Sequence, residues 1–169
     1  MPHLDAAHRF ACWLTRRPGD AEDIVQEAFL RAFRHFDKLR GDDAKAWLLA
    51  IVRNCHATAL KDRLRRAAEP LPAADELVLP AETPDEAPGP EQASIGADEQ
   101  RLLQRLIATL PEEHREVLVL REVEDMSYRE IAAVTAVPIG TVMSRLARAR
   151  SALRDKYLQA VPGEGHAVR

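Results

Sequence analysis

The stretch TAVPIGTVMSRLARAR, residues 135–150, brings together side chains that can contact nucleic acid. An arginine can donate two hydrogen bonds to a guanine edge or neutralise a phosphate, and small residues between arginines let a helix backbone approach the bases. A solvated basic face on an ordinary packing helix would have the same composition. The elements around this stretch must decide between the two interpretations.

The preceding residues favour a DNA-binding helix-turn-helix. Ser127 and Glu130 have the spacing of a capping box, in which each side chain accepts a hydrogen bond from the other residue's backbone amide. A short helix from this box, a tight turn at 135–138 and a longer helix over 139–158 would complete the motif. At 100° per residue, the inward stripe of the longer helix would carry Val142, Leu146, Ala149 and Leu153, and its outward face Ser144, Ala147, Arg148 and Ser151.

Helical periodicity also dominates the first 66 residues. It predicts helices over 5–17, over 21–36 with Asp20 as the N-cap, and over 44–66. On the second of these helices, the residues expected to face inward are Ile24, Val25, Ala28, Phe29, Ala32, Phe33 and Phe36. No stretch has the alternation of a β-strand, so the predicted fold class is all-α.

The charges are distributed unevenly along the chain, although the net charge is only −3. Residues 67–99 carry nine acids, six of the eleven prolines and no Lys or Arg, whereas the blocks on both sides are net basic. Such a segment cannot bury a core, so we expect an extended or disordered linker between two small helical domains. The second domain would begin near Asp98 with a helix that stops before Pro111, and a helix over 111–124 would follow.

The chain resembles the sigma-70 family, in its compact extracytoplasmic-function type. The resemblance rests on DAEDIVQEAFLRAF (20–33), AWLLAIVRN (46–54) and LPEEHREVLVLREVEDMSYREIAAVTAVPIGTVMSRLARAR (110–150). It implies a factor that binds bacterial core RNA polymerase and directs transcription from promoter DNA. The implied organisation is region 2 over 1–66, a linker over 67–98, region 4 over 99–159 and a tail over 160–169.

The resemblance also assigns roles to three sets of residues. The helix that binds the polymerase clamp helices would use Asp23, Gln26, Glu27, Leu30 and Arg31. The loop and helix that open and read the minus-ten element would use Lys38, Arg40, Lys45, Trp47, Arg53, Asn54, Lys61 and Arg63. The recognition helix would direct Met143, Ser144, Ala147 and Arg148 to base edges of the minus-thirty-five element, and Thr141, Arg145 and Arg150 mainly to phosphates.

Each of these assignments has an ordinary structural alternative. The polar face of the helix over 21–36 could simply be solvated, and Trp47 has apolar neighbours that suit a core residue. The basic run at 61–66 also suits a solvated helix end and its dipole. In the family, the linker threads through the basic active-site cleft and RNA exit path of polymerase, where the acids would mimic nucleic acid, but a generic spacer would look the same.

Other classes of function fit the sequence less well. A stand-alone helix-turn-helix regulator is the alternative, but it would need no clamp-binding helix. No catalytic set, glycine-rich phosphate loop or metal-ligand spacing indicates an enzyme, a cofactor or a small-molecule substrate, and Cys12 and Cys55 give no disulfide framework or redox motif.

The expected location and regulation complete the interpretation. Without an apolar run of about 18 residues or a signal-peptide core, we expect a cytoplasmic protein that does not insert into membranes. Members of the family are commonly held inactive by an anti-sigma factor that wedges between the two domains. The resemblance therefore implies such a partner here.

Overall fold

A computed structural model of the chain describes residues 3–15, 18–39, 43–66 and 90–161. These residues form seven α-helices and no β-strand, which confirms the predicted all-α class. The helices are α1 (Leu4–Leu14), α2 (Pro18–Arg34), α3 (Ala44–Arg66), α4 (Pro90–Ala108), α5 (Glu112–Glu122), α6 (Tyr128–Thr135) and α7 (Ile139–Ala160), with a short 3₁₀ helix at Phe36–Lys38. Within these ranges no single helix is long and apolar enough to cross a membrane, and only α6 and α7 counted together across their bend reach that length and composition.

Two helices begin several residues earlier than predicted, and both begin at a proline. Proline suits the first helical position because its missing amide hydrogen would be unpaired there and its φ is already helical. Because α2 starts at Pro18, Asp20 lies within its first turn, where a carboxylate favours the helix dipole, and is not its N-cap. Because α4 starts at Pro90, residues 90–98 are helical and were wrongly predicted as extended linker. Residues 67–89 of that linker lie outside the described residues.

Two residues predicted to face inward on α2 are exposed. Phe33 is 82% exposed, because at 100° per residue it lies about 120° from the centre of the buried face. Phe36 is also exposed, since α2 has ended by then and the chain has entered the 3₁₀ helix, where the α-helical phase no longer applies. The buried residues of α2 are Ala21, Ile24, Val25, Ala28 and Ala32.

The buried side chains form one continuous apolar core across both halves of the chain. Phe10, Leu49 and Val52 are fully buried in the first half, which comprises α1 to α3. Leu120 and Leu146 are fully buried in the second half, which comprises α4 to α7. The halves contact each other directly, since α1 packs on α5 and α3 packs on α6. The sequence predicted two domains joined by a linker and gave no sign of this contact.

Candidate polymerase and nucleic-acid interfaces

Helices α6 and α7 have the geometry of a helix-turn-helix. Ser127 Oγ accepts from the amide of Glu130 at 3.3 Å, and the amide of Ser127 donates to Glu130 Oε2 at 2.6 Å, so the predicted capping box is present. After α6 the chain turns at Ala136, which has a φ of 54°, and α7 begins after Pro138. The two axes differ by 100°, within the roughly 90–120° of such motifs.

The recognition helix α7 divides into the two faces that its periodicity predicted. Val142, Leu146 and Ala149 are buried against the preceding helices and fix the orientation of α7. The opposite face is exposed and carries Met143, Ser144, Ala147, Arg148 and Ser151. A helix with this face combines an arginine with small and apolar side chains, which can meet base edges and thymine methyl groups.

Two arginines of α7 that were predicted to serve phosphates are paired with acids of α5. Arg145 Nη2 lies 2.8 Å from Glu113 Oε2. Arg150 donates to Glu122 Oε1 from Nη2 at 2.6 Å and from Nε at 3.1 Å. In contrast, Arg148 is exposed and has no ion pair with any described residue. These three arginines therefore differ in how readily they can reach DNA.

The predicted polymerase-binding residues lie on one stripe of α2, at positions i, i+3, i+4, i+7 and i+8. Asp23, Gln26 and Leu30 are exposed, while Arg31 Nε donates to Glu27 Oε1 at 2.6 Å. Exposed Phe33 lies beside this stripe, although its spacing predicted an inward-facing side chain. The helical phase of Phe33 relative to Ile24 and Ala28 would have revealed its position.

The predicted minus-ten residues have varied surroundings. Arg63 Nη2 lies 2.6 Å from Asp20 Oδ2 of α2, and Trp47 is half-buried against the apolar core, as its alternative interpretation expected. The exposed members of the set are Asn54, Lys61 and Arg63. Outside the described residues lie Arg40 and the side chain of Lys38.

Lys45 and Arg53 of that set are bound by carboxylates from the other half of the chain. Arg53 Nε donates to Glu116 Oε1 of α5. Lys45 Nζ lies 3.0 Å from Glu124 Oε2, in the turn after α5, and donates to the Glu124 carbonyl at 2.7 Å. Arg9 of α1 holds the same carboxylate with two hydrogen bonds, of 3.0 and 3.2 Å. No local sequence pattern marks pairs that are 63 to 115 residues apart, so the sequence did not predict Arg9, Glu116 and Glu124 as partners.

Comparisons with known proteins match both halves. Family models for sigma-70 region 2 and sigma-70 region 4 match residues 1–69 and 100–153. The chain is 37% identical over 158 residues to the ECF RNA polymerase sigma-E factor of Escherichia coli K12, covering 88% of this chain and 81% of that protein. This chain belongs to the sigma-70 family. It is an extracytoplasmic-function sigma factor, which directs promoter-specific transcription initiation.

Further comparisons agree with this membership. The sigma factor is 38% identical over 157 residues to the ECF RNA polymerase sigma factor SigE of Mycolicibacterium smegmatis, over 90% of this chain and 58% of that protein. Its fold is similar to that of the sigma factor RpoE from Bartonella quintana, solved in complex with the anti-sigma factor NepR. That similarity has a TM-score of 0.75 at 26% identity, and covers 95% of this chain and 93% of the other.

Proposed function

We propose that this sigma factor divides promoter recognition between its two halves. Region 2, over 1–66, binds core polymerase through the exposed stripe of α2 and reads the minus-ten element through α3 and the loop before it. Region 4, over 99–159, reads the minus-thirty-five element through the outward face of α7. The observation that carries the proposal is that α2 presents this polar stripe in the same chain as a helix-turn-helix, since a stand-alone DNA-binding regulator needs no such surface.

The proposed polymerase surface of α2 is acidic and partly apolar. Asp23 and Glu27 supply carboxylates, and Leu30 and Phe33 supply exposed apolar area. Exposed large apolar side chains beside charged ones are typical of protein interaction sites. This chemistry suits a partner whose helices carry basic and apolar side chains. Opposite charges would steer the two proteins together, and the apolar side chains would then be buried in the interface.

The remaining functional proposals follow from this role. The sigma factor acts in the cytoplasm with its polymerase and has no catalytic activity of its own. The complex of the Bartonella quintana relative with an anti-sigma factor supports the proposal that a similar partner regulates this chain. Burial raises the pKa of the Cys12 and Cys55 thiols, which keeps them protonated and disfavours a redox role in that regulation.

Run-off transcription with purified core polymerase tests the proposed function. We expect promoter-dependent transcripts with the full chain, and their loss when Asp23, Gln26 and Glu27 are all changed to Ala. The matched control is Asp98→Ala, which removes an exposed carboxylate from α4 whose one ion pair within the described residues is with nearby Arg101. Duplex binding by the wild-type chain without any effect on polymerase would instead support the stand-alone regulator.

A further inference from the structure

Two acids of the second half are buried by contact with cations of the first half. The Glu124 side chain is fully buried and the Glu116 side chain is 5% exposed, whereas Arg9, Lys45 and Arg53 each keep a solvent-exposed part. A buried carboxylate is costly unless ion pairs and hydrogen bonds compensate for its lost hydration. Every ion pair that these two acids form within the described residues comes from the first half. Their burial therefore depends on the contact between the halves.

We propose that Glu116 and Glu124 hold this sigma factor in a closed, self-inhibited state. In that state they occupy a basic row, Arg9, Lys45 and Arg53, which binds the DNA backbone once the halves separate. This assigns a DNA-backbone contact to Arg9, which lies on α1 outside the predicted minus-ten set. The inference rests on the proposed function for the identity of the competing ligand.

The closed arrangement cannot read both promoter elements at once. The elements are about 25 base pairs apart, as their names indicate, which is about 85 Å of B-DNA at 3.4 Å per base pair. In the structure the halves are in contact, and the first helix of the helix-turn-helix, α6, packs against the proposed minus-ten helix α3. The 23 residues between α3 and α4 could span about 80 Å if fully extended, so the length of the chain allows the halves to separate.

Competition for the basic row explains how the contact between the halves would inhibit DNA binding. Phosphates bind Lys and Arg through the same charge-assisted hydrogen bonds that carboxylates use. While the two acids hold the row, a DNA strand must displace them. The measured affinity is then the affinity of the open form multiplied by the fraction of molecules that are open. Separation of the halves hydrates both carboxylates again and leaves the three cations of the basic row free to bind phosphates.

The test compares two double variants of the full chain. E116Q/E124Q removes the two carboxylates that hold the row. The control E113Q/E122Q removes two carboxylates of α5 that pair with Arg145 and Arg150 inside the second half. Small-angle scattering gives the radius of gyration, and fluorescence anisotropy gives the affinity for a single-stranded minus-ten oligonucleotide. We expect a larger radius and at least about tenfold tighter binding for E116Q/E124Q, and wild-type values for the control.

A second variant separates competition from simple disruption. R9Q/K45Q breaks the Glu124 contacts from the first half, so it should also increase the radius of gyration. It should bind the oligonucleotide more weakly than E116Q/E124Q, because the row has lost two charges. Circular dichroism checks that each variant keeps its helical content. If E116Q/E124Q loses helical content, the radius of gyration of R9Q/K45Q alone decides whether the halves separate. An unchanged radius in the folded variants, or equal oligonucleotide affinity in both open variants, overturns the proposal.

Failure of this inference is distinct from failure of the proposed function. If wild-type chain supports promoter-dependent run-off but no variant opens, only the self-inhibited state is wrong. If wild-type chain supports no promoter-dependent run-off with core polymerase, the proposed function is wrong whatever the scattering shows.

Discussion

Arg145 of α7 and Glu113 of α5 form an ion pair of 2.8 Å that joins the recognition helix to the helix behind it. The Arg145 side chain is only 16% exposed, although the sequence predicted it to serve DNA phosphates. Its stem packs within the second half and its guanidinium has a carboxylate partner. We infer that Arg145 mainly positions α7, and that Arg148, one turn further on, is the arginine available to bases.

Replacing Arg145 should therefore reduce stability as well as DNA binding. We expect Arg145→Ala to lower the free energy of unfolding by about 1 kcal/mol, through the lost ion pair and the lost packing of its stem. Urea denaturation measures the change, and Arg148→Ala is the matched control, expected to leave the free energy of unfolding unchanged. Equal stability of the two variants would show that Arg145 does not position the helix.

Arg148 should determine sequence preference at one position. A bidentate arginine contributes about 1–3 kcal/mol of discrimination against the wrong base, so Arg148→Ala should weaken binding to the preferred minus-thirty-five duplex by that amount. Its effect should be much smaller on a duplex substituted at the base pair it contacts. Anisotropy with a set of single-base-pair variants measures both. Uniform weakening on every duplex would make Arg148 a phosphate contact.

Much of the second half could be predicted because its signals are local. The capping box at Ser127 and Glu130 and the stripe of Val142, Leu146 and Ala149 each lie within a few residues of sequence. Side-chain direction at 100° per residue then separates buried from exposed positions on α7. Helix starts are harder to predict, because Pro90 can belong to a linker or to a first helical turn and composition alone favours the linker.

The contact between the halves could not be predicted from the sequence. Glu116 and Glu124 look like ordinary surface acids of a charged helix, and Arg9 and Arg53 like ordinary surface bases. Only the packing of α1 on α5 and of α3 on α6 brings these charges together. Phe33 differs, because its exposure follows from its helical phase on α2 and was predictable.

The capping box of α6 should contribute to stability in a pH-dependent manner. Ser127→Ala should cost about 1 kcal/mol at neutral pH, measured by urea denaturation, because an amide of the first turn loses its partner. The control Ser151→Ala changes an exposed serine within α7 and should cost much less. Hydrogen bonds from Ser127 hold the pKa of Glu130 below its ordinary 4.5. The stabilisation from ionised Glu130 is therefore present above pH 4.5 and is lost as the pH falls through its folded-state pKa.

His56 should make the folded protein less stable in mild acid. It is buried on α3, with Nδ1 3.6 Å from Glu112 Oε1, and burial lowers its pKa below the ordinary 6.5 although Glu112 opposes the shift. The nearby guanidinium groups of Arg115, Arg63 and Arg53 lower the pKa further. As the pH falls below 6.5 the unfolded chain binds a proton first, so the free energy of unfolding decreases until the folded-state pKa is reached.

Urea denaturation between about pH 7.5 and about pH 5 measures this dependence. We expect His56→Gln to remove part of the decrease, because glutamine keeps a polar side chain and does not titrate. The matched control is His35→Gln at an exposed position after α2, which should keep the wild-type dependence. Carboxylates that protonate in the same range affect all three proteins alike, so the difference between the variants isolates His56. Identical dependence in wild-type and His56→Gln protein would show that His56 titrates alike in the folded and unfolded chain.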